Sequence, residues 1–288
     1  MNITSIETRG KVAIVKCVYD GVGDRLELMA SSDRHHDSLH CDRALELQHL
    51  KMARERQAMI IDAGDVFDAM QGKYDSRKIY DDLRPEYLKG NYYDAIVDDA
   101  AEYYKPFASS FLLIGRGNHE ASVYDRAGTD LTSRLTADLR RAGSKVVTGG
   151  VGGWIIFQFV AKSGGGRFSV NYRYHHGGGG NSPVTKGVIQ TARQAAYLPD
   201  ADIIHNGHNH QEYALAIKRE RISAQGVTSF DLAHYIRTPG YKSDYDKGGW
   251  GDLKQFPPTP AGCAWVTVEV VYIGKTAGSH ITVTADVR

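Results

Sequence analysis

The chain has 288 residues, with 35 Lys or Arg against 34 Asp or Glu and a formal net charge of +1; 42% of residues are hydrophobic and 24% charged. That is globular composition at a length able to bury a large core, and it excludes disordered, fibrous and collagen-like chains. The near-neutral balance supplies no general electrostatic case for nucleic acid or an anionic membrane, although a local basic groove stays open.

Met1 to Lys16 mixes polar, charged and apolar residues without a basic-then-apolar leader. No apolar run approaches the roughly 20 residues needed to span a bilayer, so a soluble, cytoplasmic protein is expected. Lys11 to Val18 reads as a short β run. From there one phrase recurs five times: an apolar run, then a loop rich in Asp, Asn, His and Gly. Leu26 to Ala30 leads into Ser32-Asp33-Arg34-His35-His36-Asp37, and Ala58 to Asp62 into Gly64-Asp65-Val66-Phe67-Asp68. Phe111 to Ile114 leads into Gly117-Asn118-His119-Glu120, Phe168 to Tyr174 into His175-His176-Gly177, and Ala201 to Ile204 into Gly207-His208-Asn209-His210. Short apolar runs bounded by Gly predict buried strands.

Helical patterns lie between these runs. Ser38 to Gln57 starts at Asp37/Ser38 and carries Leu39, Leu45, Leu47 and Leu50 on its apolar face; Asn91 to Phe107 is acidic on one side. Leu131, Leu135 and Leu139 recur at i+4, and Gly143 stands where that helix would stop. Met70 to Pro106 reads as a helical insertion capping the strand ends, and 264–287 as a C-terminal hairpin around Gly274 to Gly278. With no repeat and no linker, the pattern predicts one α/β domain over residues 1–288, its ligands collecting at the carboxyl ends of the strands.

The chemistry-bearing residues fall at those ends. Of 12 histidines, eight cluster: His35 and His36, His119, His175 and His176, and His205, His208 and His210. Singly, most of these motifs are unremarkable; Gly64-Asp65 alone is a turn and Asn118 alone a turn residue. Gly207-His208-Asn209-His210 is the strongest, because two imidazoles one residue apart in a loop reach adjacent positions round a metal. Together the five loops supply carboxylates, a carboxamide and imidazoles, an N/O donor set suited to Mn, Fe or Zn. Cys17, Cys41 and Cys263 lack CxxC spacing and read as small buried hydrophobes.

The ordered set Asp33-x-His35, Gly64-Asp65-x-x-Asp68, Gly117-Asn118-His119-Glu120, His175 and Gly207-His208-x-His210 resembles the calcineurin-like metallophosphoesterase superfamily over residues 32–210. The resemblance implies a four-layer αββα sandwich with mixed β-sheets and two divalent ions, manganese first, with iron, zinc or nickel as alternatives. It implies that Asp33, His35 and His210 hold one ion, that Asn118, His208 and His175 hold the other, and that Asp65 bridges them. His176 is the alternative to His175. His119 is similar to the family's phosphate-contacting proton donor, and Glu120 stands where an acidic partner orients that imidazole. The implied reaction is hydrolysis of a phosphoester by a metal-bridging hydroxide, as a phosphodiesterase or phosphatase.

Other residues are candidates from their chemistry. Arg116, Asn118 and His119 could meet a substrate phosphate, as could Arg237 and Lys242, which flank Tyr241 in a loop able to engage a nucleotide. His36 and Asp37 read as supporting or helix-capping groups, Asp68 as a supporting or substrate-facing one, and His205 as a core histidine. The partner is a phosphoester, small molecule or nucleic acid, and not a membrane. A nuclease would add a basic groove, and Tyr74, Tyr80, Tyr87, Tyr92 and Tyr93 could stack bases, though they equally fit packing. A non-catalytic scaffold would have lost a ligand or His119, and none is missing. The oligomeric state is not legible.

Overall fold

The computed structural model of the chain describes residues 1–70, 83–88, 90–179, 184–185, 187–243, 245, 257–274 and 276–288. The chain opens with β1 (Asn2–Arg9), β2 (Val12–Tyr19), β3 (Arg25–Ser31), α1 (Arg43–Glu55) and β4 (Met59–Asp62). Then come α2 (Tyr92–Tyr104), β5 (Phe111–Ile114), α3 (Asn118–Ala127), α4 (Leu131–Arg141) and β6 (Val147–Thr148). They are followed by β7 (Gly152–Ala161), β8 (Arg167–His175), α5 (Val188–Tyr197) and β9 (Ile203–Asn206). The chain closes with β10 (Tyr213–Ile222), β11 (Thr228–Arg237), β12 (Gly262–Ile273) and β13 (Thr276–Val287).

The strands form two mixed sheets. One runs β1-β2-β7-β8-β9-β11-β10 and the other β13-β12-β3-β4-β5-β6. Period-2 alternation sorts their side chains into layers. Leu28, Ala30, Ile61, Leu112 and Val266 of one sheet meet Val15, Ile155, Phe157, Tyr172, Ile203 and Ile236 of the other in a shared core. The intervening residues Met29, Ile60, Phe111 and Trp265 point the other way, against Leu45, Leu50, Ile96, Leu135 and Leu139 of the helices. Ile204, Ala233 and Tyr235 on the far face of the seven-stranded sheet pack with Ala195 and Leu198 around α5. The result is the four-layer αββα sandwich. Each fully buried Leu or Phe here contributes roughly 1.5–3 kcal/mol by leaving water.

Two helices differ from their sequence pattern. α1 begins at Arg43, not Ser38, because Asp42 is its cap: its carboxylate accepts from the Leu45 amide at 2.9 Å. Asp37 is committed elsewhere, accepting from the amides of Asp68 (2.6 Å) and Ala69 (3.0 Å). Leu39 is accordingly half exposed. In the 70–106 segment, residues 71–82 and 89, with Tyr74 and Tyr80, lie outside the described residues. Its helix α2 buries Ile96, Val97, Ala100 and Tyr104 in the helical core, so it belongs to the outer layer rather than capping the strand ends. Tyr87 and Tyr92 are buried in the same core, which makes them packing residues. The C-terminal hairpin, the three buried free cysteines and a third helical pattern at α4 are as expected. No helix among the described residues is long and apolar enough to cross a membrane.

Candidate metal centre

Every one of the five polar motifs follows a strand: β3, β4, β5, β8 and β9. Their loops interlock by continuing the ladders past the strand ends. Asp33 N–H donates to the Gly64 carbonyl (2.8 Å), His35 N–H to Asp65 (3.0 Å) and His36 N–H to Val66 (2.8 Å). Gly207 N–H donates to His176, and Tyr241 N–H to the Asp33 carbonyl. Two glycines are dictated by this closeness: a side chain at Gly117 would strike the Asp65 carboxylate, and one at Gly207 would strike Ser32 and Asp33.

Backbone strain concentrates here. Asp33 (φ 50°), His35 (46°), Asp65 (56°), His208 (80°) and His210 (51°) all adopt left-handed backbone, and only Gln57 and Ala69 do so elsewhere among the described non-glycine residues. Each such conformation costs on the order of 1 kcal/mol or more for a residue with a Cβ, and persists where surrounding structure imposes it.

The strain aims ligand atoms inward. Asp33, His35 and His210 form one group whose donor atoms all lie within 4.8 Å of one another; Asp65, His176 and His208 form another, and His35, Asp65 and His119 a third. Asp65 thus sits between two neighbourhoods. Its Oδ2 is 3.1 Å from His176 Nε2 and 3.7 Å from His119 Nε2. Asn118, first residue of α3, brings its Oδ1 within 2.9 Å of His176 Nε2 and 2.7 Å of His208 Nδ1. Asp33 Oδ1 and His35 Nε2 are buried without a hydrogen-bond partner, though only 4.0 Å apart. Buried polar atoms are nearly always partnered. Two unpartnered donor atoms converging on one point, inside an N/O set without thiolate, fit a divalent ion of the borderline class.

Electrostatics agree. Burial alone would raise the Asp65 carboxyl, but His176, His119 and His35 hold it well below the usual range. Asp33 is likewise held low, with burial opposed by His210 and His176. Burial would lower His176, but Asp65, Asp33 and Glu120 push it up to about 10. The protein therefore keeps ionised carboxylates at the centre of the cluster, their charge balanced by imidazolium that a bound metal would displace.

Supporting contacts fix the ligand rings. Asp68 Oδ1 lies 2.9 Å from His35 Nδ1, which directs His35 Nε2 into the site. Ser32 Oγ donates to Asp33 Oδ2, which also accepts from the His208 amide at 2.8 Å. Behind Ser32 stands Thr238 (2.6 Å between hydroxyls), and behind Thr238 the buried His205 (3.0 Å). Ser32 and Thr238 carry no sequence signal, because a hydroxyl becomes a positioning group only through what folds against it.

Several candidates are placed differently from the sequence expectation. His176, not His175, faces Asp65 and Asn118; the His175 ring turns to the other side of the sheet, its Nδ1 accepting from Gly177 N–H at 2.9 Å. Glu120 does not touch His119. Its carboxylate accepts from the amides of Gly117 (2.8 Å), Phe67 (2.9 Å) and Asp65 (3.2 Å), tying the β4 loop to the start of α3. The His119 ring is held instead by the Asp68 carbonyl, which accepts from Nδ1 at 2.5 Å. Arg237 is buried and donates to Gly207 O (3.1 Å), Asn209 Oδ1 (2.5 Å) and Gln190 Oε1 (3.2 Å), bracing the His208–His210 loop. Lys242 is buried on Asp68 Oδ1 (2.8 Å), and Arg116 pairs with Asp130 beside the Tyr124 ring. The cations expected to grip substrate are structural. Their burial could not be read from a loop sequence of Arg, Thr, Pro, Gly, Tyr and Lys.

No family model and no curated protein matches the chain. Among solved structures it is similar to Vacuolar Protein Sorting 29 from Cryptosporidium parvum, with TM-score 0.40 and 10% identity over 92% of this chain and 100% of that one. It is also similar to a conserved uncharacterized protein, a predicted phosphoesterase, from Streptococcus pneumoniae, with TM-score 0.32 and 11% identity over 90% and 99%. Both likenesses are remote.

Proposed function

We propose that the chain is a dinuclear metal-dependent phosphoester hydrolase. The observation that supports this most directly is the pair of buried, unpartnered donor atoms Asp33 Oδ1 and His35 Nε2, beside an Asp65 shared between two ligand groups. Asp33, His35 and His210 would hold one divalent ion; His176, His208 and Asn118 the other, with Asp65 reaching both. Manganese is the first candidate, with iron, zinc or nickel as alternatives for the same donor set. Such a pair, when bound, makes water acidic enough to attack phosphorus near neutral pH and neutralises charge on the phosphoryl oxygens.

The rest is the work of side chains. His119 is part-buried at the rim, with Nδ1–H committed to Asp68 O and Nε2 turned toward the centre. Burial holds its pKa below the ordinary imidazole value, so the resting ring is neutral at pH 7. An arriving phosphoester anion raises the proton affinity of Nε2, which takes up a proton from solvent as the substrate binds and then hands it to the leaving oxygen. Asn118, exposed at the start of α3, positions the phosphoryl group between the ligand clusters. Because Arg237 and Lys242 are buried, a small phosphoester fits the site better than a nucleic acid gripped by a basic loop.

The test is hydrolysis of aryl phosphomonoesters and phosphodiesters with added Mn²⁺, before and after chelation, with metal content measured on the same sample. Activity that returns with metal and vanishes in folded Asp65→Ala is the expected result. Hydrolysis indifferent to chelation, or a folded protein that binds no divalent ion, overturns the proposal.

A further inference from the structure

The two edges of the seven-stranded sheet are unlike. β1 is broken by a register shift between Ile3 and Ser5, a common device that blunts a strand edge. β10 runs ten residues in unbroken register against β11 and contains no proline, and among the described residues no strand pairs with its other side. Ser223 N–H donates to Val227 O at the hairpin tip. Alternation from that bond points the odd-numbered amides of β10 at β11 and leaves those of Ala214, Ala216, Lys218, Glu220 and Ile222 facing outward. Large apolar side chains lie exposed beside this edge: Ile222 at 74%, Phe230 at 63% and Leu232 at 47%.

We infer that β10 pairs antiparallel with β10 of a second copy of this chain, two-fold symmetric about Arg219. Charge selects both occupant and register. Centred on Arg219, the pairing sets Lys218 opposite Glu220 of the other copy, twice, and Ala216 opposite Ile222. Centring on Lys218 or Glu220 would oppose like charges, and centring on Ile217 would leave both charges against alanine. Among the described residues neither Lys218 nor Glu220 has an ion partner; Lys218 Nζ rests over the Phe230 ring at 4.7 Å. The two Arg219 side chains meeting at the axis each donate to their own Asp231 at 2.8 and 3.1 Å; Arg221 shares that carboxylate at 3.0 Å, and Asp202, 3.5 Å from Arg219, completes the charge balance. Outward amides supply the hydrogen bonds, the Lys218–Glu220 pairs fix the register, and Ile222, Phe230 and Leu232 gain cover.

The experiment is sedimentation or light scattering of the full chain. Wild type is expected to dimerise, K218E and E220K each to weaken the dimer by roughly tenfold or more, and the double reversal K218E/E220K to restore it. Circular dichroism confirms that the surface variants fold. An A216C/I222C variant is expected to form a disulfide-linked dimer on oxidation, since positions 216 and 222 lie too far apart along one strand to bond within a chain. A monomeric wild type overturns the inference, as does a dimer indifferent to the charge reversals or an A216C/I222C variant that does not cross-link.

Discussion

Two clusters of buried charge lie side by side behind β3 and differ in whether they are finished. In the first, Arg34 is fully buried and donates to Asp62 (2.6 Å), Glu46 (2.8 Å) and Ser31 (2.8 Å), inside a cage of Tyr104, Phe111 and Tyr241 rings. Tyr104 and His36 complete Glu46, whose carboxyl is held at about 2 although burial alone would raise it. The second begins one residue earlier, at Asp33, and leaves Asp33 Oδ1 and His35 Nε2 without hydrogen-bond partners. A closed network is architecture. An open one of the same residue types, on strained backbone, could hold a metal ion.

The largest effect should come from opening the closed cluster. Arg34→Met strands Asp62 and Glu46 as uncompensated buried charges and should cost about 3–5 kcal/mol, lowering Tm by roughly ten degrees. Calorimetry checks it; a change below a degree would mean that the network carries no stability. Next, Asp65→Ala should cut metal-dependent hydrolysis by about 10²–10³-fold. It should also abolish the rise in Tm that added Mn²⁺ gives the parent, a rise that residual folded Arg34→Met should keep. Equal responses of the two variants to metal would erase the distinction between the clusters.

A pH experiment separates them further. His205 sits behind the open cluster, fully buried, and burial lowers its pKa to about 3. The folded state binds that proton more weakly than the unfolded chain does. Its contribution is therefore complete above the unfolded value near 6.5 and is lost as pH falls toward 3. At pH 5 the loss is about 2 kcal/mol. His205→Gln should flatten the stability profile between pH 6.5 and 4; an unchanged slope would place the titration elsewhere. Asp68→Asn, which weakens the hold on His35 Nδ1 and removes the counter-charge of buried Lys242, should lower Tm and, in the protein that folds, lower metal affinity by about 10–100-fold. Isothermal titration reads this directly.

These contrasts also mark what was legible beforehand. The strand-then-ligand phrase located Asp33, His35, Asp65, Asn118, His119, His208 and His210 at one end of the sandwich, because periodicity and Gly placement encode strand ends locally. Long-range burial is not so encoded. Arg237 and Lys242 looked like substrate cations until β11 and its following loop folded against Gly207 and Asp68. Glu120 looked like a partner for His119 because they are neighbours in sequence. In a helix consecutive residues diverge, and Glu120 turns back to the amide of Gly117 while His119 turns to Asp68.

The smallest predicted effect concerns a choice that the sequence could have settled. On β8, Val170, Tyr172 and Tyr174 are buried toward the other sheet, and two-residue alternation carries His176 on the same side while His175 falls opposite. Aromatic-then-ligand spacing favours His175, whereas strand periodicity favours His176, and the periodicity is the physical constraint. His175 lies instead in a polar recess of about 280 Å³ with Gln190, Arg193, Gln194 and Tyr197. His175→Ala should therefore leave metal affinity within about twofold of the parent, while His176→Ala should lower it by at least about tenfold. The reverse order in a titration with Mn²⁺ would mean that β8 slips by one residue when the ion binds.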